Sequence, residues 1–492
     1  MNTYIGIDLG TSSVKLLLVS SNGRILSETT KFYNVSYPHP GWSEQSPEDW
    51  YSAVIAGLKD LLCGQDRDSV RGISFGGQMH GLVILNEKDE VIRPCILWND
   101  GRTEKETKYL NETIGKAKLS QYTGNIAFAG FTAPKLLWLK ANEPDNFARI
   151  AKIMLPKDYI AYRLSGAFAT DLSDASGMLL LDVRNRCWSK EMCGICGISL
   201  AQLPELHESY EVTGTLKKDI ADDLGLGDVK IIAGAGDNAA AAIGTGTAGE
   251  GGCTISLGTS GTLFVSAAEY AEDKENKLHS FCHADGGYHL MGCILSAASC
   301  NGWWMERILE TKNYPKEQKD LECRLGDNDV YFLPYLMGER SPHNDVNARG
   351  CFIGLRPDTD RKDMTLAVLE GVTFALRDCL EAARANGVEI TRTKLCGGGA
   401  RSPLWRKIVA DIMNMPVDIV ETEQGPSYGG AMLAMVGCGE YSSPMEAIQS
   451  IVHVKETILP DPDAAAKYEA RYTNFRKLYP ALKATFADLY GA

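Results

Sequence analysis

The tetrapeptide Leu-Gly-Thr-Ser stands at Leu9–Ser12 and again at Leu257–Ser260. Each copy lies between apolar runs: YIGIDLGTSSVKLLLV and EGGCTISLGTSGTLFV both read as strand, glycine turn, strand. One such match constrains little. The same pattern once in each half of a 492-residue chain predicts an internal duplication. The expected fold is therefore α/β, with two related domains spanning residues 1–245 and 246–492. They meet where small residues crowd between Gly244 and Gly249.

Local signals fill in this frame. Asn22-Gly23 predicts a tight hairpin from the first ribbon into RILSETTKF. Ser46 as N-cap and Pro47 at the first position predict a helix over 47–62. The apolar run VRGISFGG reads as a strand that delivers Gln78-Met79-His80. Met364 to Asn386 carries an apolar stripe that Gly387 stops. A strand ending at Cys396 meets Gly397-Gly398-Gly399, and Ser402-Pro403 then opens a further helix.

Hydrophobic residues make up 44% of the chain, enough for a core in each half. The formal net charge of -13 argues against a nucleic-acid partner. No uninterrupted apolar run reaches roughly 18 residues, and the first residues do not read as a secretory leader. The expectation is a cytoplasmic protein with neither a membrane nor a nucleic-acid partner. Fourteen cysteines sit mostly in apolar contexts and read as small buried hydrophobes. Cys193 and Cys196 form one C-x-x-C without the second pair that a zinc ribbon needs.

The glycine turns carry chemistry. Phosphate oxygens need several short N–H contacts, and glycine lets the backbone approach closely. Gly10-Thr11-Ser12-Ser13 offers such a turn with extra hydroxyls, and Lys15 adds a positive charge. A carboxylate directly before it, Asp8, fits beside phosphate only with a cation between them, for which Mg2+ is the natural choice. Gly258-Thr259-Ser260-Gly261 would face the first turn across a cleft. Gly397–Gly399 suits close approach to a nucleotide base or ribose.

The run VKIIAGAGDNAAAAIGTGTAG imitates a dinucleotide fingerprint, but no acidic residue closes a second strand after it. It does supply Asp237 at a strand end among small neighbours. That carboxylate can receive a proton from a substrate hydroxyl, cap the alanine-rich helix behind it, or do both. His80, with Gln78 and the nearby Trp98-Asn99-Asp100, makes the polar and aromatic mixture that binds sugars. Neither a Walker-A sequence nor an H-R-D catalytic loop occurs.

These residues resemble the FGGY family of carbohydrate kinases, within the actin-like ATPase superfamily, along essentially the whole chain. GFTAPKLLWL and GCFIGLRPDTDRKDMTLAVLE look like the two family signatures. PHPGWSEQ, GGQMHG, ILWNDGR, LPKDY, GDNAA, SLGTSG, HSFCHA, FLPYLMGER and CGGGARS look most like the members that phosphorylate D-xylulose.

The resemblance implies two ribonuclease H-like domains and a reaction giving ADP and D-xylulose 5-phosphate. It implies Asp237 as catalytic base and Asp8 at the metal and phosphates. It places Met79, His80 and Asn238 at the sugar. Thr11, Ser12, Ser13 and Thr259 fall at the phosphates, with Gly398 and Ser402 near the adenosine. Lys15 stands where the related glycerol kinases carry arginine. ATP and Mg2+ are the implied cofactors, a small sugar the partner, and a homodimer one option for assembly. Alternatives in the same fold are kinases of ribulose, gluconate or glycerol. The alternative from another class is an actin-like ATPase that binds a protein.

Overall fold

The computed structural model describes residues 1–491, and its two seven-stranded sheets repeat one another. The N-terminal sheet contains β1 (Thr3–Leu9), β2 (Ser13–Ser20), β3 (Ile25–Phe32), β4 (Val70–Gly77), β5 (Val212–Thr215) and β6 (Lys230–Ile232). Their order is β5-β6-β4-β1-β2-β3, and the two residues Ala235–Gly236 also pair with β4. The C-terminal sheet contains β7 (Cys253–Leu257), β8 (Gly261–Ala267), β9 (His279–Cys282), β10 (Tyr288–Ile294), β11 (Thr393–Cys396), β12 (Val417–Val420) and β13 (Val454–Ile458). They stand in the order β9-β10-β8-β7-β11-β12-β13.

In both sheets an antiparallel meander, β1-β2-β3 or β7-β8-β10, has its first strand paired in parallel with a later one, β4 or β11. Two actin-like, ribonuclease H-like domains result, and each Leu-Gly-Thr-Ser forms the turn of a first hairpin. β1 is buried on both faces, as its apolar run requires. β3 is the sheet's edge and alternates half-buried with exposed positions.

Six helices frame the site. The first is α1 (Pro47–Leu61). The others are α2 (Thr132–Asn142), α3 (Asp237–Gly244), α4 (Arg361–Ala385), α5 (Pro403–Met413) and α6 (Pro426–Gly437). α1 runs where expected, but the Ser46 side chain makes no capping hydrogen bond. α5 starts behind Ser402, whose Oγ accepts from the Trp405 N–H at 3.2 Å.

α4 begins at Arg361, earlier than the apolar stripe alone suggests. Asp360 accepts from the N–H groups of Lys362 and Asp363 at 2.8 and 2.9 Å, and Asp363 accepts from the Asp360 N–H at 3.0 Å. This reciprocal cap satisfies the open N-terminus and adds its first turn. Among the described residues no helix is long and apolar enough to cross a membrane.

The halves are joined by backbone contact. α6 comes from the C-terminal half yet lies against β1 and α3. A methyl group on Gly6 would sit 1.7 Å from the Ser427 carbonyl oxygen, and one on Gly429 would sit 1.8 Å from that of Ala240. Only glycine allows this approach. Alanine is about 1 kcal/mol better than glycine inside an exposed helix. Gly429→Ala should nonetheless lower Tm markedly or abolish soluble folding, because the clash is with backbone that has no room to move. Gly194→Ala, where a methyl meets nothing within 4 Å, is the control and should leave Tm unchanged or raise it. Thermal unfolding of both variants checks this.

Candidate functional site

The first glycine turn is held from several sides. Its Gly10 N–H donates to the Ser13 carbonyl at 3.0 Å, and the Gly10 carbonyl accepts from the Tyr33 hydroxyl at 2.6 Å. Gln45 Nε2 donates to the Thr11 carbonyl at 2.7 Å, and Trp98 Nε1 donates to Thr11 Oγ1 at 2.9 Å. The buried Gln78 also serves this turn. Its Nε2 donates to the Gly10 carbonyl at 3.3 Å and its Oε1 accepts from Thr11 Oγ1 at 3.3 Å. The amide expected to meet a sugar is thus committed to the phosphate-type turn. Ser12 is exposed at the tip, and Ser13 opens β2. Lys15 Nζ is hydrogen-bonded to Gln424 Oε1 and lies 3.9 Å from Glu28.

β1 ends and α3 begins beside this turn, which brings Asp8 and Asp237 into one electrostatic site. Burial and the neighbouring Asp237 charge raise Asp8 to about 7, with Lys15 opposing. Burial raises Asp237 to about 6, opposed by hydrogen bonds from Asn238. Asn238 donates twice to Asp237 Oδ1, from its N–H at 2.7 Å and from Nδ2 at 2.9 Å. Asp237 is the first helical residue and Gly236 occupies the N-cap, so Asp237 serves the helix start from inside the first turn, through the Asn238 N–H.

The residue before Asp237 is tied down. The Gly236 N–H donates to Ser173 Oγ at 3.1 Å, and Ser173 Oγ donates to Asp171 at 2.5 Å. Asp171 pairs with the fully buried Lys157 at 2.8 Å, and Asp158 and Asp174 complete that cluster. Sequence reasoning missed it, although LPKDY and DLSDAS carry its charges inside apolar segments.

Met79 and His80 follow β4. Met79 is buried against Gly236, where a methyl group would come 2.9 Å from its sulfur. His80 has a left-handed backbone, φ 71°, that non-glycine residues rarely adopt. Its Nδ1 is 2.7 Å from the Gly177 carbonyl. A carbonyl only accepts, so Nδ1 carries the proton and Nε2 is left as an acceptor. Burial and the Lys135 charge push the ring well below the usual histidine range, so it is neutral. Phe131 lies against it at 4.6 Å.

Asp100 is placed nearby, but its oxygens are engaged. They accept from Ser43 N–H at 2.5 Å and from Arg102 Nε and Nη2 at 2.8 and 2.7 Å. Asp100 therefore shapes the Trp98–Asp100 loop rather than offering a free carboxylate. That loop lines a cleft of about 530 Å³ together with Phe128, Glu339 and Arg340.

A second cleft, of about 610 Å³, lies in the C-terminal half between Tyr314, Gln318, Gly398, Gly399, Ser402 and Trp405. Gly398 and Ser402 both stand on the wall of this cavity. Gly397, with φ 89°, passes so close to the second turn that a methyl would meet the Leu257 backbone at 2.8 Å. Thr259 holds that turn through its carbonyl, which accepts from Ser299 Oγ at 2.7 Å and from Ala297 N–H at 2.9 Å.

Two consecutive residues link the Gly397 loop to β2. Glu423 accepts from the Gly397 N–H at 2.5 Å, while Gln424 takes Lys15. Their polar side chains precede α6 in a stretch with no motif to mark it.

Among the described residues no group of three or more His, Cys, Asp or Glu side chains could cage a metal ion. Asp8 instead offers one carboxylate that is raised by burial and by like charge, with no hydrogen bond contributing. That suits a Mg2+ ion that keeps waters and phosphate oxygens as its other ligands. Cys193 and Cys196 are free and buried on a short helix, as core residues are.

The raised carboxyls set a pH dependence. Asp237 has a folded value of about 6 against 3.8 for the free group, so the fold loses stability as pH rises through that window. Asp237→Asn and Asp8→Asn should therefore raise Tm by a few degrees at mildly alkaline pH. The gain should shrink on acidification, when the wild-type carboxyls protonate. Calorimetry across pH checks this, and a gain independent of pH would contradict it.

Residues 3–244 match the FGGY family of carbohydrate kinases, N-terminal domain, and residues 253–438 match its C-terminal domain. The chain is 40% identical to a xylulose kinase of Escherichia coli (strain K12), over 97% of this chain and 99% of that one. The structure superimposes on a ligand-bound xylulose kinase from Lactobacillus acidophilus with a TM-score of 0.94 at 28% identity, over 99% of this chain and 100% of that one. A gluconate kinase from the same organism gives 0.94 at 27% identity, covering 99% of each chain. With both domain matches in chain order on two ribonuclease H-like sheets, the chain belongs to the FGGY family of carbohydrate kinases.

Proposed function

We propose that this protein is a xylulokinase, which transfers the γ-phosphoryl group of ATP to the C5 hydroxyl of D-xylulose in the cytoplasm. The observation that carries the mechanism is Asp237: a poorly solvated carboxylate at a helix start, held by Asn238, close enough to Asp8 to raise it, and next in the chain to the Gly236 that packs on Met79. As the C5 oxygen bonds to Pγ, the bond from Pγ to the β,γ-bridging oxygen breaks and ADP leaves. The hydroxyl proton passes to Asp237. A raised base is matched to that proton, since its conjugate acid forms readily near neutral pH.

The chain's other residues bind and orient. His80 Nε2 accepts a sugar hydroxyl, Met79 and Asn238 border the sugar, and Trp98 covers its outer side. The Gly10–Ser13 and Gly258–Ser260 turns aim N–H groups at the phosphates. Gly398 and Ser402 receive the adenosine. Mg2+, held by Asp8, would neutralise phosphate charge when bound. Lys15 spends one of its three N–H donors on Gln424 and has others to offer to phosphate oxygens.

A panel of D-xylulose, D-ribulose, gluconate and glycerol with coupled ADP detection tests the substrate. D-xylulose should give the highest kcat/KM. The similarity to a gluconate kinase makes gluconate the most informative competitor, and a higher value for it would overturn the assignment. Sugar-independent ATP hydrolysis would point instead to an actin-like ATPase.

Asp237→Ala should cut kcat by about 10²–10⁴-fold while ATP still binds. Wild-type kcat/KM should fall on acidification through about 6, where Asp237 takes up its proton. His80→Ala should raise the KM for the sugar while leaving that for ATP nearly unchanged.

A further inference from the structure

Lys135 takes no part in the phosphoryl transfer itself. It lies in the first two turns of α2, in the apolar stretch Ala133–Trp138, and its side chain is fully buried. Among the described residues it forms no ion pair. Burial lowers it to about 7, with the charges of Asp100 and Arg102 acting in opposite senses. An ammonium group here is costly to desolvate, and a leucine or methionine of similar volume would serve the core better.

Its two acceptors explain its presence. Nζ donates to the His80 carbonyl at 2.7 Å and to the Gly130 carbonyl at 2.7 Å. Thr132 Oγ1, at the start of the same helix, donates to the same His80 carbonyl at 3.1 Å. His80 is the residue with the left-handed backbone, a conformation that persists only where the surroundings over-determine it.

Every other contact on His80 fixes its ring. Gly177 takes Nδ1–H and leaves no room for a methyl, which would lie 2.5 Å from the imidazole. Phe131 covers one face. Among the described residues, the His80 main chain is hydrogen-bonded only by Lys135 and Thr132. Gly130, the second acceptor of Lys135, is pressed against Trp98, whose carbonyl a methyl there would meet at 2.3 Å. One ammonium group thus ties together the two loops that border the sugar.

We infer that Lys135, assisted by Thr132, is a positioning residue that locks the His80 backbone so that the imidazole Nε2 faces the sugar. This rests on the reading of His80 as a sugar ligand, and the test separates the two. Lys135→Met keeps the volume and removes both hydrogen bonds. Losing charge-assisted bonds to a buried carbonyl should raise the KM for D-xylulose by about 10–100-fold, with the KM for ATP within about twofold.

The double variant Lys135→Met/His80→Ala should be no worse than His80→Ala alone, because the lysine acts through the histidine. Multiplying effects, or a parallel rise in the KM for ATP, would overturn the inference. If Lys135→Met does not fold, Thr132→Val and Thr132→Ser decide. The valine should raise the KM for D-xylulose severalfold and the serine should restore it, whereas equal behaviour of the two overturns the inference. Should His80→Ala raise that KM while Lys135→Met leaves it unchanged, only the positioning role fails. Should His80→Ala itself leave it unchanged, the sugar-ligand reading fails and takes this inference with it.

Discussion

The close contact of α6 with β1 and α3 is what the site depends on. Three backbone segments from different parts of the chain meet at Gly6 and Gly429, where even a methyl group has no space. β1 ends in Asp8 and α3 starts with Asp237, so the distance between the two carboxylates is set by backbone packing and not by side-chain rotamers. Burial raises both carboxyls, and for Asp8 the neighbouring Asp237 charge adds to it. A loosely packed joint would let them separate. Glycine at the joint keeps them in place, and stability is lost so that chemistry is gained.

The same logic runs through the charges behind the site. Lys157 is surrounded by Asp158, Asp171 and Asp174, all buried, and Asp171 passes the constraint through Ser173 to the Gly236 N–H. Lys135 does the equivalent for His80 through backbone carbonyls. Neither lysine is needed for a core of this size. Both appear where a backbone segment of the candidate site holds one conformation, and a charged donor orients a carbonyl or carboxylate more strongly than a neutral one.

Much of this was legible in the sequence because it repeats or punctuates. The two Leu-Gly-Thr-Ser turns, the Asn22-Gly23 hairpin, the Ser402 cap and the glycine run at 397–399 each have a local physical cause. Long-range partners were not legible. Gln78 looked like a sugar ligand, yet its amide is spent on Gly10 and Thr11, since residues 67 and 68 positions apart meet only in the fold. Asp100 looked free until Arg102 and Ser43 took its oxygens. Glu423 and Gln424 sit in an unremarkable polar stretch, and their contacts with Gly397 and Lys15 exist only once both halves are folded. Lys135 did leave a trace, a lone cation within an apolar helical run, which marks a buried charge with a reason to be there.

On the proposed kinase reading, the duplication also accounts for which substrate would lie where. In the first half, β1 runs parallel to β4 with Leu9 beside Gly77, and the chain leaves β4 into Gln78-Met79-His80. In the second half, β7 runs parallel to β11 with Ser256 beside Cys396, and the chain leaves β11 through Gly397-Gly398-Gly399 to Ser402. The two exits are equivalent positions of one repeated sheet, each beside its own glycine turn. One carries a neutral histidine and a thioether, which the proposed reading gives to the sugar. The other carries bare backbone and an apolar-walled cleft, which the proposed reading gives to the nucleoside. The position of Asp8 in the first hairpin is held by Ser256 in the second. The halves therefore share the phosphate-turn geometry, but the like-charged carboxylates lie on the histidine side alone. On the proposed reading, a phosphoryl group between the two turns would have its acceptor and its proton sink on one side and its leaving group on the other.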